Sequence, residues 1–81
     1  MKLNEKALAL TAGIFAGVVW LLVMIISLAS GYAKDVILKV GALHPGFSYT
    51  YGGAIWMGIL HFIGAAIFAY IFAWLYNKLA E

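Results

Sequence analysis

The chain contains no cysteine and no arginine, and its 81 residues include only five lysines and three acidic residues. Without cysteine, neither a disulfide framework nor a thiolate metal site can form. A net charge of +2 on scattered lysines does not suit a nucleic-acid surface, where clustered Lys and Arg are expected. The sequence also lacks a nucleophile–base pair, a phosphate-binding loop and paired carboxylates. It predicts a non-enzymatic protein with no nucleic-acid partner.

Apolar residues make up most of the chain. They account for 67% of it, and the mean hydropathy is +1.05. Soluble domains are closer to half apolar and about a quarter charged, and a soluble domain of this size would bury only about 60% of its unfolded surface. The sequence therefore predicts one membrane domain, residues 1–81, with the lipid bilayer as its solvent.

The first apolar run, Ala7–Ala29, contains no charged residue. It is longer than the roughly 7–15 residues of a signal-peptide core, and long enough to cross a hydrocarbon layer of about 30 Å. Asn4 is a suitable N-cap, and Gly31 a suitable end. We predict a membrane-spanning helix over residues 7–30.

The second apolar run predicts a span over residues 52–77. Trp56 and Trp74 lie eighteen residues apart, which is five helical turns or about 27 Å. Tryptophan prefers the two membrane interfaces, so this pair matches the hydrocarbon thickness. The predicted interfacial anchors are Trp56, Trp74, Tyr49, Tyr51 and Tyr76.

The loop over residues 31–51 holds either a short interfacial helix or an extension of the first span. Pro45 and Gly46 predict a turn, and we expect His44 to be solvated. The tails carry three lysines and the loop two, which favours both termini on the cytoplasmic side. The predicted fold is an all-α antiparallel hairpin of two transmembrane helices.

Small residues recur at helical spacing in both spans, where they permit the close backbone approach on which helix packing in lipid depends. On the first span this face comprises Ala9, Gly13, Ala16, Gly17, Trp20, Met24 and Ser27. On the second span it comprises Ala54, Gly58, His61, Ala65, Ala69 and Phe72. We predict that the two faces meet, and that the hairpin then forms homo-oligomers or joins other membrane subunits.

His61 is the only ionisable residue within the spans. We expect it at the depth of Val23 and Met24, with Trp20 one turn deeper as a space-filling residue. The main interpretation is a neutral imidazole bonded across the helix interface, without a cofactor. The alternatives are an axial ligand to haem or a chlorophyll-type macrocycle, and a proton-sensing or pore-lining group.

Three segments carry a resemblance to a known family: KLNEKALALTAGIFAGVVW from Lys2, HPGFS from His44, and IFAWLYNKL from Ile71. With them the chain resembles a family of uncharacterised prokaryotic two-helix membrane proteins that automatic annotation often labels bacteriophage holin-like. The resemblance implies a multi-pass protein of a prokaryotic cytoplasmic membrane. The family's second span carries an acidic residue, which this chain replaces with Gly64-Ala65-Ala66 and the nearby His61.

The sequence thus predicts a protein that acts by helix–helix assembly in the bilayer, with holin-like pore formation as one form of that activity. The alternative is an accessory subunit of a larger redox or energy-converting membrane complex. In that case His61 would be an interface residue or a macrocycle ligand.

Overall fold

The computed structural model describes residues 2–80, and these contain three helices and no strand. Helix α1 covers Glu5–Ser30, α2 covers Lys34–Gly41 and α3 covers Tyr51–Leu79. Helices α1 and α3 are each long and apolar enough to cross a membrane, and few of their residues are buried by the rest of the chain. The predicted all-helical fold with two such helices is confirmed.

Each long helix begins at a side-chain cap. The side chain of Asn4 accepts a hydrogen bond from the amide of Ala7, and that of Thr50 accepts one from the amide of Gly53. Gly31 ends α1 in the left-handed region, φ 77°, which glycine adopts without steric cost. The two N-caps explain why α1 and α3 begin one or two residues before the predicted spans.

Helices α1 and α3 form an antiparallel hairpin, and contacts at its two ends show its direction. At one end the Asn77 side chain accepts a hydrogen bond from the amide of Leu3 at 2.7 Å, and donates to the Leu3 carbonyl and the Glu5 carboxylate. At the other end the hydroxyls of Ser27 and Tyr49 lie 2.6 Å apart. The two tails therefore meet at the same end of the molecule.

Helix α2 folds back along the hairpin. Gly31 and Ala33 both adopt positive φ angles, which reverse the chain after α1. Ile37 of α2 is then buried in a small core with Met24, Ala54 and Met57. Of the two alternatives for this segment, extension of the first span is wrong, since two left-handed residues interrupt the helix.

The predicted register of the hairpin is also wrong. Gly17 lies opposite Gly58 and Gly13 opposite Phe62, so His61 lies about two to three turns nearer the N-terminal end of α1 than expected. The register follows from glycine, because Gly17 and Gly58 must lie opposite each other for the backbones to touch. Phe72 was expected on the packed face, yet its side chain is exposed.

Candidate functional site

Three rings from three parts of the chain form a cluster on one side of the hairpin. Trp20 of α1 stacks on His61 of α3, with 4.4 Å between the ring centroids and 23° between the planes. His44, from the segment after α2, lies 5.0 Å from His61 and 6.3 Å from Trp20. The sequence analysis expected His44 to be solvated, and the structure places it half-buried beside these two rings. The fold-back of α2 brings His44 next to His61, the residue that the sequence analysis named as a possible ligand.

Both imidazoles are fixed by a backbone carbonyl four residues earlier. Nδ1 of His61 lies 2.7 Å from the carbonyl oxygen of Met57, and Nδ1 of His44 lies 2.9 Å from that of Val40. A carbonyl only accepts, so each Nδ1 carries the hydrogen and donates it. In a neutral ring the other nitrogen, Nε2, then keeps its lone pair. The sequence analysis expected the His61 imidazole to bond across the helix interface, but the carbonyl that it bonds belongs to its own helix.

The remaining polar atoms of the cluster are open to the outside. Among the described residues, neither Nε2 atom nor the indole N–H of Trp20 has a hydrogen-bond partner, and no unpartnered side-chain nitrogen or oxygen is fully buried. Two acceptors and one donor are thus accessible at a largely apolar site.

The cluster lies well inside the hairpin. Trp20 is ten residues from the end of α1, and His61 is ten residues from the start of α3, about 15 Å in each case at roughly 1.5 Å per residue. The turn that carries His44 is held against α3 by Trp56, whose indole N–H donates to the Pro45 carbonyl at 2.7 Å.

The second candidate site is the point where α1 and α3 cross. A Cβ atom on Gly13 would stand 2.9 Å from the carbonyl oxygen of Phe62, and one on Gly17 would stand 2.9 Å from that of Gly58. A Cβ on Gly58 would stand 3.2 Å from the Gly17 carbonyl oxygen. The backbones therefore approach each other as closely as only small residues allow.

Beside this crossing runs an open apolar groove of about 290 Å³. Its floor contains Gly17 and Gly58, and the side chains that line it are those of Ile14, Val18, Leu21, Ile55, Ile59 and Phe62. The sequence analysis assigned these glycines to helix packing and did not foresee the groove beside them.

The other predicted packing residues are buried to different extents. Ala9 and Ala54 are buried, whereas Ala65 and Ala69 are half-buried. Of the predicted anchors, Trp56, Trp74, Tyr51 and Tyr76 are exposed. Tyr49 instead turns inward to Ser27, and Lys34 Nζ lies 5.3 Å from the centre of its ring.

Sequence reasoning missed three residues that shape these sites. Met57 supplies the carbonyl that holds His61, Asn77 joins the two tails, and Gly53 lets the chain pass the Ser48 carbonyl. Asn77 could have been found as the only amide side chain near the end of an apolar helix. The dipeptide Gly52-Gly53 is a comparable signal for close approach at the start of α3.

Within residues 2–80, no group of three or more His, Cys, Asp or Glu side chains is placed to hold a metal ion. Two imidazoles are therefore the largest set of such ligands that the described part of the chain brings together.

Comparison with known proteins gives no further indication of function. No family model, no curated protein and no solved structure matches this chain.

Proposed function

We propose that this chain is a non-enzymatic membrane protein that acts by assembling with copies of itself in the bilayer. The observation that carries the proposal is the groove over the Gly17–Gly58 crossing. In a bilayer, helices associate where surfaces pack closely, because lipid tails are as apolar as the side chains and give no hydrophobic drive. A groove beside bulky side chains offers such a surface.

The groove is suited to a second copy of the chain because the side-chain ridges along the borders of one groove can fit into the groove of the other copy. Ile14 and Val18 lie four residues apart on α1, and Ile55 and Ile59 lie four apart on α3, so each pair forms a ridge along its helix. Ridges pack into grooves. Two copies related by a two-fold axis can each place a ridge in the other's groove, as a self-complementary patch requires.

The distribution of polar groups favours a closed assembly over a holin-like pore. A water-filled pore needs polar side chains on the outer faces of the spans. Here Ser27 is turned inward to Tyr49, while the hydroxyls of Thr11 and Ser30 each donate to a carbonyl of their own helix. Apart from the ring cluster of Trp20, His44 and His61 and the exposed tyrosines of α3, the described outer faces of the spans therefore offer few free polar groups to water.

Single-molecule photobleaching in lipid vesicles tests the proposal. We expect the fraction of dimers to rise with the protein-to-lipid ratio. Ile59→Trp should weaken association at least tenfold, because an indole on the groove wall blocks the incoming ridge. Ile63→Trp is the matched control, since Ile59 and Ile63 have similar exposure, 47% and 49%, and Ile63 lies outside the groove.

Monomers at every protein-to-lipid ratio, or equal weakening by both substitutions, would contradict the proposal. Release of a trapped dye from the same vesicles would favour the holin-like form over a closed assembly. Purification from the native host in mild detergent, followed by mass measurement, tests the accessory-subunit alternative. If the chain forms a complex only with a different protein, the accessory-subunit alternative is supported and self-assembly is contradicted.

A further inference from the structure

The two histidines have the surroundings of metal ligands. A histidine that binds a metal through one ring nitrogen almost always donates its other N–H to a carbonyl, a carboxylate or water, which fixes the ring and raises its basicity. His44 and His61 both donate Nδ1–H to a backbone carbonyl, at 2.9 and 2.7 Å. Both Nε2 atoms are unpartnered among the described residues and reach the surface.

The rings belong to two separate elements that meet only through the fold-back. Their centroids are 5.0 Å apart and their planes are inclined by 41°. No hydrogen bond joins the two rings directly. To share one ion, both Nε2 lone pairs must turn toward it, and rings whose centroids are 5.0 Å apart are close enough for this once the side chains rotate. Such an ion would connect the segment after α2 to α3.

The absence of charged ligands at the site favours an ion with a single positive charge. Both ligands are neutral, and no group of three His, Cys, Asp or Glu side chains exists in residues 2–80 to complete a larger coordination shell. A divalent ion needs more ligands than these and brings twice the charge into apolar surroundings, which is costly without an anionic partner. Copper(I) and silver(I) accept two nitrogen ligands and carry one positive charge.

Trp20 supports the same choice of ion. Its ring is stacked on His61 at 4.4 Å, and an indole face attracts a cation within about 6 Å of its centre. The positive charge that a bound ion places on the imidazole is stabilised there without a carboxylate. We propose that His44 and His61 bind one monovalent copper(I) ion through their Nε2 atoms, and that the ion fastens the fold-back segment to α3.

Silver(I) is the probe, because it shares the charge and ligand preference of copper(I) and does not change oxidation state in air. The full chain carries a tag without histidine and is titrated by calorimetry in a detergent solution free of chloride. We expect one silver ion per chain. His44→Phe and His61→Phe should each weaken binding at least tenfold, and Mg²⁺ should not bind.

Two further measurements keep the test decisive if a variant folds poorly. Far-ultraviolet circular dichroism reports whether each variant keeps the helical content of the wild type. In the wild type labelled with ¹⁵N on histidine, silver should shift the Nε2 resonances of both rings and leave the Nδ1 resonances nearly unchanged.

Three results would overturn the proposal. The first is a silver titration that leaves either Nε2 resonance in place. The second is silver binding that survives loss of either histidine in a folded variant. The third is Zn²⁺ binding as tight as that of silver, which would contradict the assignment to a monovalent ion.

Discussion

The carbonyl oxygen of Gly58 lies 2.9 Å from the point where a Cβ atom on Gly17 would stand. Gly17→Ala therefore pushes the two long helices apart, and we expect a loss of about 1–3 kcal/mol in the free energy of unfolding, typical of overpacking. Gly64→Ala is the matched control, because nothing lies within 4 Å of its Cβ position. Unfolding in mixed micelles measures both. Equal stability of the two variants would contradict the tight crossing.

Gly53 is the residue that lets the chain enter α3. A Cβ on Gly53 would overlap the Ser48 carbonyl, whereas one on Gly52 would meet only the Thr50 hydroxyl at 3.8 Å. We expect Gly53→Ala to destabilise the fold, and Gly52→Ala to be neutral or to stabilise α3 by up to about 1 kcal/mol, the helix-propensity difference. Hydrogen exchange of amides 42–50 checks the local effect. Slower exchange in Gly53→Ala than in the wild type would contradict it.

Tyr49 has a structural role that Tyr51 does not share. Its hydroxyl lies 2.6 Å from that of Ser27, which is only 1% exposed. Tyr49→Phe leaves the serine hydroxyl without this partner, so we expect a cost of about 1–3 kcal/mol in unfolding free energy. Tyr51→Phe should have little effect, because Tyr51 is exposed.

A double-mutant cycle with Ser27→Ala separates the hydrogen bond from packing at Tyr49. The double variant should be less destabilised than the sum of the two single variants, because it removes both buried partners together. Strict additivity would mean that the hydroxyl pair does not contribute.

The absence of cysteine allows a clean test of the hairpin ends. The amide of Leu3 donates to the Asn77 side chain at 2.7 Å, so a Leu3→Cys, Asn77→Cys variant should cross-link readily within one chain in membranes. Leu3→Cys with Lys39→Cys is the control, because Lys39 lies in α2, toward the opposite end of the hairpin. Labelling of single cysteines at positions 39 and 78 from opposite sides of the membrane completes the test. Cross-linking in the control instead of the test pair would contradict the topology.

The absorption spectrum of the protein from its own host tests the macrocycle alternative for His61. We expect no Soret-type band, because Trp20 and His44 already lie 4.4 and 5.0 Å from the His61 ring and occupy the space beside it. A band that disappears in His61→Phe would contradict this expectation and restore the macrocycle ligand.

Local rules were enough to predict the two long helices, with ends within two residues of those in the structure. Asn4 and Gly31 act through their own backbone neighbourhood, and the buried positions of α1 follow the 3.6-residue period. The fold-back could not be predicted in this way. Ala33 adopts φ 57° without being a glycine, so no local signal marks the reversal. The position of His44 depends on Trp56, which bonds to the neighbouring Pro45, and on Trp20, and both tryptophans are distant from His44 in the sequence.

The fold-back also determines where the histidine pair would lie in the transmembrane electric field. The apolar side chains of α1 remain exposed as far as Ile26, so lipid is expected to reach that level. The pair would then lie roughly a third to a half of the way through a hydrocarbon layer of about 30 Å. One elementary charge moved across the whole membrane changes energy by about 2.3 kcal/mol per 100 mV. An ion that reaches the histidine pair from the α2 end would therefore gain or lose about 1 kcal/mol per 100 mV of membrane potential. Silver binding to vesicles held at set potassium diffusion potentials measures this dependence.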